Sequence, residues 1–106
     1  MKGMIFMIDK IKDTETDEMF RAILSLKSVD ECYKFFDDLC TVKELKSISQ
    51  RFAVAKMLSQ KQVYSDIVDK TGASTATISR VNRSLAYGND GYSMVFERLY
   101  GKDAVQ

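Results

Sequence analysis

Apolar residues recur at helical spacing along most of this chain, and the pattern predicts an all-helical fold of about six helices with no strand. Thr14 to Asp17, rich in capping and acidic residues, opens a helix whose apolar positions are Met19, Phe20, Ile23, Leu24 and Leu26. Ser28 with Glu31 three residues on forms a capping-box pair, followed by a stripe of Val29, Cys32, Tyr33, Phe36 and Leu39. Thr41 and Glu44 repeat the box ahead of Leu45, Ile48, Phe52, Ala55 and Leu58, a helix running to about Gln60. A short helix is expected over Tyr64 to Thr71, with Ile67 and Val68 facing inward. Gly72 can take the positive φ that ends it. Ser74 caps a further helix to about Ala86, held by Ile78, Val81 and Leu85. After a loop at Gly88 to Gly91, Ser93 is expected to cap a last helix through Met94, Val95, Phe96, Leu99 and Tyr100.

Length and breakers fit this reading. The 106 residues include no proline and five glycines, too few for a turn-rich β fold. One domain over 1–106 is expected, with a helix-turn-helix at about 64–86 and a C-terminal helix at about 93–100. The two cysteines, Cys32 and Cys40, lie among apolar and acidic residues, and the chain has no histidine. This excludes a disulfide framework and leaves a zinc site short of ligands. Both cysteines are expected as reduced, buried thiols of a cytoplasmic protein. Residues 1–8 are briefly apolar, then break at Asp9, Lys10 and Lys12, too soon for a membrane span or a signal-peptide core. Met4 or Met7 could serve as the start instead of Met1, making the first residues a loose extension. No histidine, no phosphate-binding glycine loop and no paired acids at a recognisable spacing are present, so no enzyme is expected.

The net charge of +1 hides an uneven distribution. Residues 1–40 carry six Lys/Arg against nine Asp/Glu, whereas residues 41–86 carry eight against three. A basic middle suggests an anionic partner, and a solvated lysine-rich face explains it equally well. The helix after Gly72 sharpens the choice. In a helix-turn-helix the second helix enters the major groove and points its N-terminal residues at base edges. No acid occurs from Gly72 to Ala86. Thr75 and Ser79 can hydrogen-bond bases, and Ala76 can sit against a thymine methyl. Ser74 opens a helix N-terminus suited to phosphate. Ser65, Lys70, Arg80 and Arg83 complete the expected contacts to double-stranded DNA. The alternative is an antiparallel helix pair in a protein-interaction module, with Asp66 and Asp69 marking its contact face.

The run from Gln50 to Leu58, followed by Gly72-Ala73-Ser74-Thr75-Ala76-Thr77-Ile78-Ser79-Arg80 and Asn82-Arg83-Ser84-Leu85, resembles the Trp repressor family, in its Trp repressor-related YerC/YecD branch. The likeness runs from about Thr41 to Leu85. It implies a transcriptional repressor built as an intertwined homodimer, with the helices of about 14–60 interlocked and two reading helices facing a pseudo-palindromic operator. The apolar stripes before Gln60 are richer than three isolated helices need. In the tryptophan-responsive member two arginines flank the indole. Arg51 and Arg80 match those positions, and Thr41 and Ser84 match others lining the pocket. The resemblance thus implies a place for a small-molecule corepressor, with no cofactor certain. Val81, however, stands where that repressor has glycine, and its branched side chain argues against L-tryptophan. The loop before the helix-turn-helix is also one residue shorter.

Overall fold

The computed structural model describes residues 5–102, with side chains from Ile8 onward. Met1 and Met4, two of the three candidate starts, lie outside the described residues. Seven helices make up the described chain: α1 (Ile5–Ile11), α2 (Thr14–Leu24), α3 (Val29–Leu39), α4 (Val42–Ser59), α5 (Tyr64–Thr71), α6 (Thr75–Tyr87) and α7 (Gly91–Tyr100). No strand occurs among them, and no helix is long and apolar enough to cross a membrane among the described residues. Helix α1 was not foreseen as a helix. Its Ile5, Ile8 and Ile11 recur every third residue, a helical spacing too short to separate from an apolar tail.

The chain divides into two compact units, one of Ile5–Lys46 and one from Ser47 onward. In the first unit, side-chain caps define the helices. Asp13, extended at φ −154°, accepts the Thr16 N–H at 2.7 Å, so the cap of α2 stands one residue before the expected Thr14. Ser28 accepts the Glu31 N–H at 3.1 Å, and Glu31 in turn accepts the Lys27 N–H at 2.9 Å. Thr41 accepts the Glu44 N–H at 3.1 Å while Glu44 accepts the Thr41 N–H at 2.8 Å, the reciprocal box read from the sequence. These backbone donors favour the charged carboxylate and hold Asp13 and Glu44 below their ordinary values of 3.8 and 4.5. Neither α2 nor α3 has a buried residue. Cys32 is exposed and Cys40 half-buried, both as free thiols, so the expectation of buried thiols fails in the single chain.

The second unit has an apolar core of Val54 and Ala55 from α4, Ile67 from α5, Ala73, Ile78 and Val81 from α6 and the turn before it, and Phe96 from α7. Phe52, Met57, Leu58, Val68, Leu85 and Tyr92 pack around it. An aromatic cluster joins α4 to α7, with Phe52 and Tyr92 at 5.3 and 5.9 Å from Phe96 between ring centroids. Helix α7 starts earlier than expected. Asp90, at φ 62°, precedes Gly91 as its N-cap, and Ser93 sits half-buried inside the first turn. The serine misled because it stands directly before the apolar run, while the cap is set by the left-handed bend at Asp90.

The Glu44 cap gives a pH-dependent test. A carboxyl held low in the folded state contributes stability in full above its unfolded value near 4.5, and that contribution is lost as pH falls through the lower folded value. Glu44→Gln is therefore expected to melt below the parent protein at pH 7, with the gap narrowing once pH drops under 4.5. Thermal melts across pH, at one protein concentration, check this.

Candidate nucleic-acid interface

Helices α5 and α6 meet at a turn fixed by three local interactions. Gly72 closes α5 in the left-handed region at φ 71°, ψ 6°, its N–H donating to the Val68 carbonyl at 2.8 Å. A side chain at that φ crowds the following carbonyl, which is why glycine stands there. The Thr71 hydroxyl donates to the Ile67 carbonyl at 2.6 Å and accepts the Ala73 N–H at 3.1 Å. Ala73 is 2% exposed, so the turn is pinned into the core by a methyl group. From α4, Gln50 Nε2 donates to the Thr71 carbonyl at 3.0 Å and satisfies the end of α5.

Ser74 then caps α6. Its Oγ accepts the Thr77 N–H at 3.1 Å and donates to the Thr77 hydroxyl at 3.0 Å. Ile78 and Val81 are buried and Leu85 half-buried, on one side of the helix. Thr75, Ala76, Ser79, Arg80 and Arg83 are all exposed on the other. The split follows the three- and four-residue steps that stack side chains on one helical face. The first turn of α6 carries no acid, so the positive end of the helix dipole is unopposed there. The exposed side is small at its N-terminal end and basic one to two turns later.

The remaining expected DNA contacts lie on α5. Ser65 is exposed in its first turn, and Lys70 is exposed in its last. Lys70 Nζ donates to Gln62 Oε1 at 3.3 Å, which steers the ammonium toward the loop before α5. Asp66 and Asp69 are also exposed on this helix. Sequence reasoning missed Gln50, Gln62 and Thr77. Thr77 could have been suspected from its place three residues after the cap. Gln50 could not, since it acts across 21 residues of chain.

The four positions matched to a ligand pocket are occupied differently. Arg51 and Arg80 are exposed, and Arg51 Nη2 donates to Ser47 Oγ at 3.3 Å, one helical turn back. The Ser84 hydroxyl bonds back to the Arg80 carbonyl at 3.4 Å. Thr41 belongs to the other unit, where its hydroxyl caps α4. Val81 is 3% exposed and part of the core.

Two substitutions test the turn. A Cβ added at Gly72 meets nothing within 4 Å, so Gly72→Ala pays only for the left-handed backbone, about 1–2 kcal/mol. Ser74→Ala loses the cap and is expected to cost about 1 kcal/mol. Urea unfolding at fixed protein concentration should lower the midpoint in both with the slope unchanged.

Comparison with known proteins agrees with this geometry. Residues 14–100 match the family model described as Trp repressor protein. YerC of Bacillus subtilis strain 168, described as an uncharacterized protein, is 55% identical over 92 residues, spanning 87% of this chain and 88% of YerC. The crystal structure of a TrpR-like protein from Eubacterium eligens ATCC 27750 superposes with a TM-score of 0.84, at 64% identity over 86% of this chain and 94% of that one. That of a proposed Trp repressor from Staphylococcus aureus also gives 0.84, at 55% identity over 87% and 92%. With most of its helices inside the matched span, this chain belongs to the Trp repressor family.

Proposed function

We propose that this protein is a sequence-specific transcriptional regulator, acting as a repressor in the cytoplasm, that binds a pseudo-palindromic DNA operator as a homodimer. The observation that carries the reading is α6 itself: a capped, acid-free N-terminus with Thr75, Ala76 and Ser79 exposed together, backed by Ile78 and Val81 in the core. Small side chains let the helix backbone approach base edges, while hydroxyls supply donors and acceptors and Ala76 a methyl contact. Arg80 and Arg83, with Lys70 and Ser65 on α5 and the α6 N-terminus at Ser74, reach phosphates and set affinity rather than sequence.

The dimer rests on unburied apolar surface in the unit of Ile5–Lys46. Phe20 is 51% exposed, Leu24 82%, Val29 71% and Tyr33 66%, on helices with no buried residue. Single exposed apolar residues are ordinary, but a run of them along two helices marks an interface. A second copy covers such a face by two-fold symmetry, and two copies of α6 then meet half-sites about one DNA turn apart. The burial of Val81, against the matched glycine in the tryptophan-responsive repressor, supports regulation without L-tryptophan. Arg51, Arg80, Thr41 and Ser84 remain the positions at which the family would hold a corepressor.

Sedimentation should find a species of twice the 12.1 kDa chain, with a melting temperature that rises with protein concentration. A monomer at micromolar concentration would exclude the dimer. Binding-site selection should return a pseudo-palindrome. Thr75→Ala and Ser79→Ala should then change base preference, whereas Arg83→Ala weakens all sequences alike and lowers the salt slope by about 1. Absence of a motif, together with no salt-sensitive binding at low ionic strength, would turn the assignment to a protein-interaction module.

A further inference from the structure

The side chains at the start of α6 offer a narrow base-edge chemistry. In a helix-turn-helix the first residues of the second helix meet the base edges. From Ser74 to Ser79 these are Ser, Thr, Ala, Thr, Ile and Ser. The stretch holds no Arg or Lys to pair with guanine, no Asn or Gln to pair with adenine and no acid to accept from cytosine. A lone hydroxyl both donates and accepts, so it tells bases apart poorly. Of the pairings that discriminate in the major groove, contact with the thymine methyl is the one left.

The fold narrows the set further. Ser74 Oγ accepts the Thr77 N–H at 3.1 Å and donates to the Thr77 hydroxyl at 3.0 Å, so both hydroxyls serve the cap. Ile78 is buried, which leaves Thr75, Ala76 and Ser79 exposed. By the helical repeat Ala76 lies nearly opposite Ile78 and Val81, the buried residues of α6, so its methyl stands near the middle of the outward face. The first charged side chains of the helix, Arg80 and Arg83, come one and two turns later. Nothing longer than a methyl group holds the backbone away from the groove floor at Ala76.

We propose, resting on the DNA-binding function proposed for α6, that the helix selects its half-site by a pyrimidine 5-methyl group packed against Ala76, not by the hydrogen-bond pattern of a purine. Methyl against methyl is an apolar contact, indifferent to which pyrimidine carries the group. A neighbouring Thr75 or Ser79 hydroxyl rotates to donate to thymine O4 or to accept from the cytosine amine. 5-Methylcytosine, which holds the same group at the same edge of the major groove, therefore serves in place of thymine. Cytosine methylation at that step strengthens a weak site.

The test measures binding of the full-length protein, by fluorescence anisotropy, to the operator that binding-site selection returns. Each thymine is replaced in turn by uracil, which removes the methyl and keeps the base pair. One thymine in each half-site is expected to lose about fourfold in affinity, the worth of one buried methyl group, and the others little. At that step a cytosine·guanine pair should bind as weakly as uracil, and 5-methylcytosine·guanine should recover the affinity of thymine. Ala76→Gly should bind the thymine and uracil forms alike. Glycine weakens a helix, so its melting is followed alongside, and the comparisons on the parent protein stand whether or not the variant folds. A motif with no uracil-sensitive thymine, a 5-methylcytosine step no better than cytosine, or a thymine preference kept by folded Ala76→Gly would each overturn methyl selection and leave DNA binding intact. No motif and no salt-sensitive binding at low ionic strength would overturn both.

Discussion

The packing of Ile67 and Ile78 into one core with Val54 and Ala55 is the constraint on which the placement of α6 depends. Both isoleucines are fully buried, and each contributes about 1.5–3 kcal/mol through removal from water. They lie eleven residues apart on either side of the turn, so burying both fixes the angle between α5 and α6. Ala73 belongs to the same core, which leaves the turn little room to move. The hydrogen bonds at Thr71, Gly72 and Gln50 then satisfy the backbone groups that this tight reversal would otherwise strand. The outward face of α6 is rigid because its inward face is buried.

Much of this was legible in the sequence because it is local. Glycine before a serine cap, with acids absent for the next turns, encodes both the bend and the electrostatic character of α6. Capping boxes at Ser28 and Thr41 were legible because three-residue spacing is a property of one helix end. The misses have separate causes. Asp90 takes a left-handed bend that aspartate tolerates but does not announce, so the start of α7 was placed at Ser93. Burial of Cys32 and Cys40 was expected from their apolar neighbours and the usual burial of free cysteine, but neighbours in sequence do not say what covers a face. Gln50 closes the end of α5 from a distant helix, a contact that no window of sequence contains.

The two compact units place opposite demands on their apolar residues. From Ser47 onward, core residues from four helical segments meet within one chain. In Ile5–Lys46, caps and acids at helix starts specify α2 and α3 locally, yet these helices bury nothing fully. Short helices in water are marginal on propensity alone and take their stability from packing. A unit specified this well at its helix ends leaves its apolar stripe uncovered, and the proposed dimer rests on that surface.

Val81 separates what α6 does from what its family position could have done. The side chain lies in the core, 3% exposed, beside Ile78 and one step from the exposed Arg80. Glycine at that point would lower helix propensity by about 1 kcal/mol and open a void, leaving the helix in need of something to fill it. Valine supplies that volume from the chain itself. Ser74 caps one end of α6, and Ile78, Val81 and Leu85 seat it along its length. Arg51 and Arg80 stay exposed, and Arg80 shares the outward side of α6 with Arg83, on the face to which the proposed function assigns DNA.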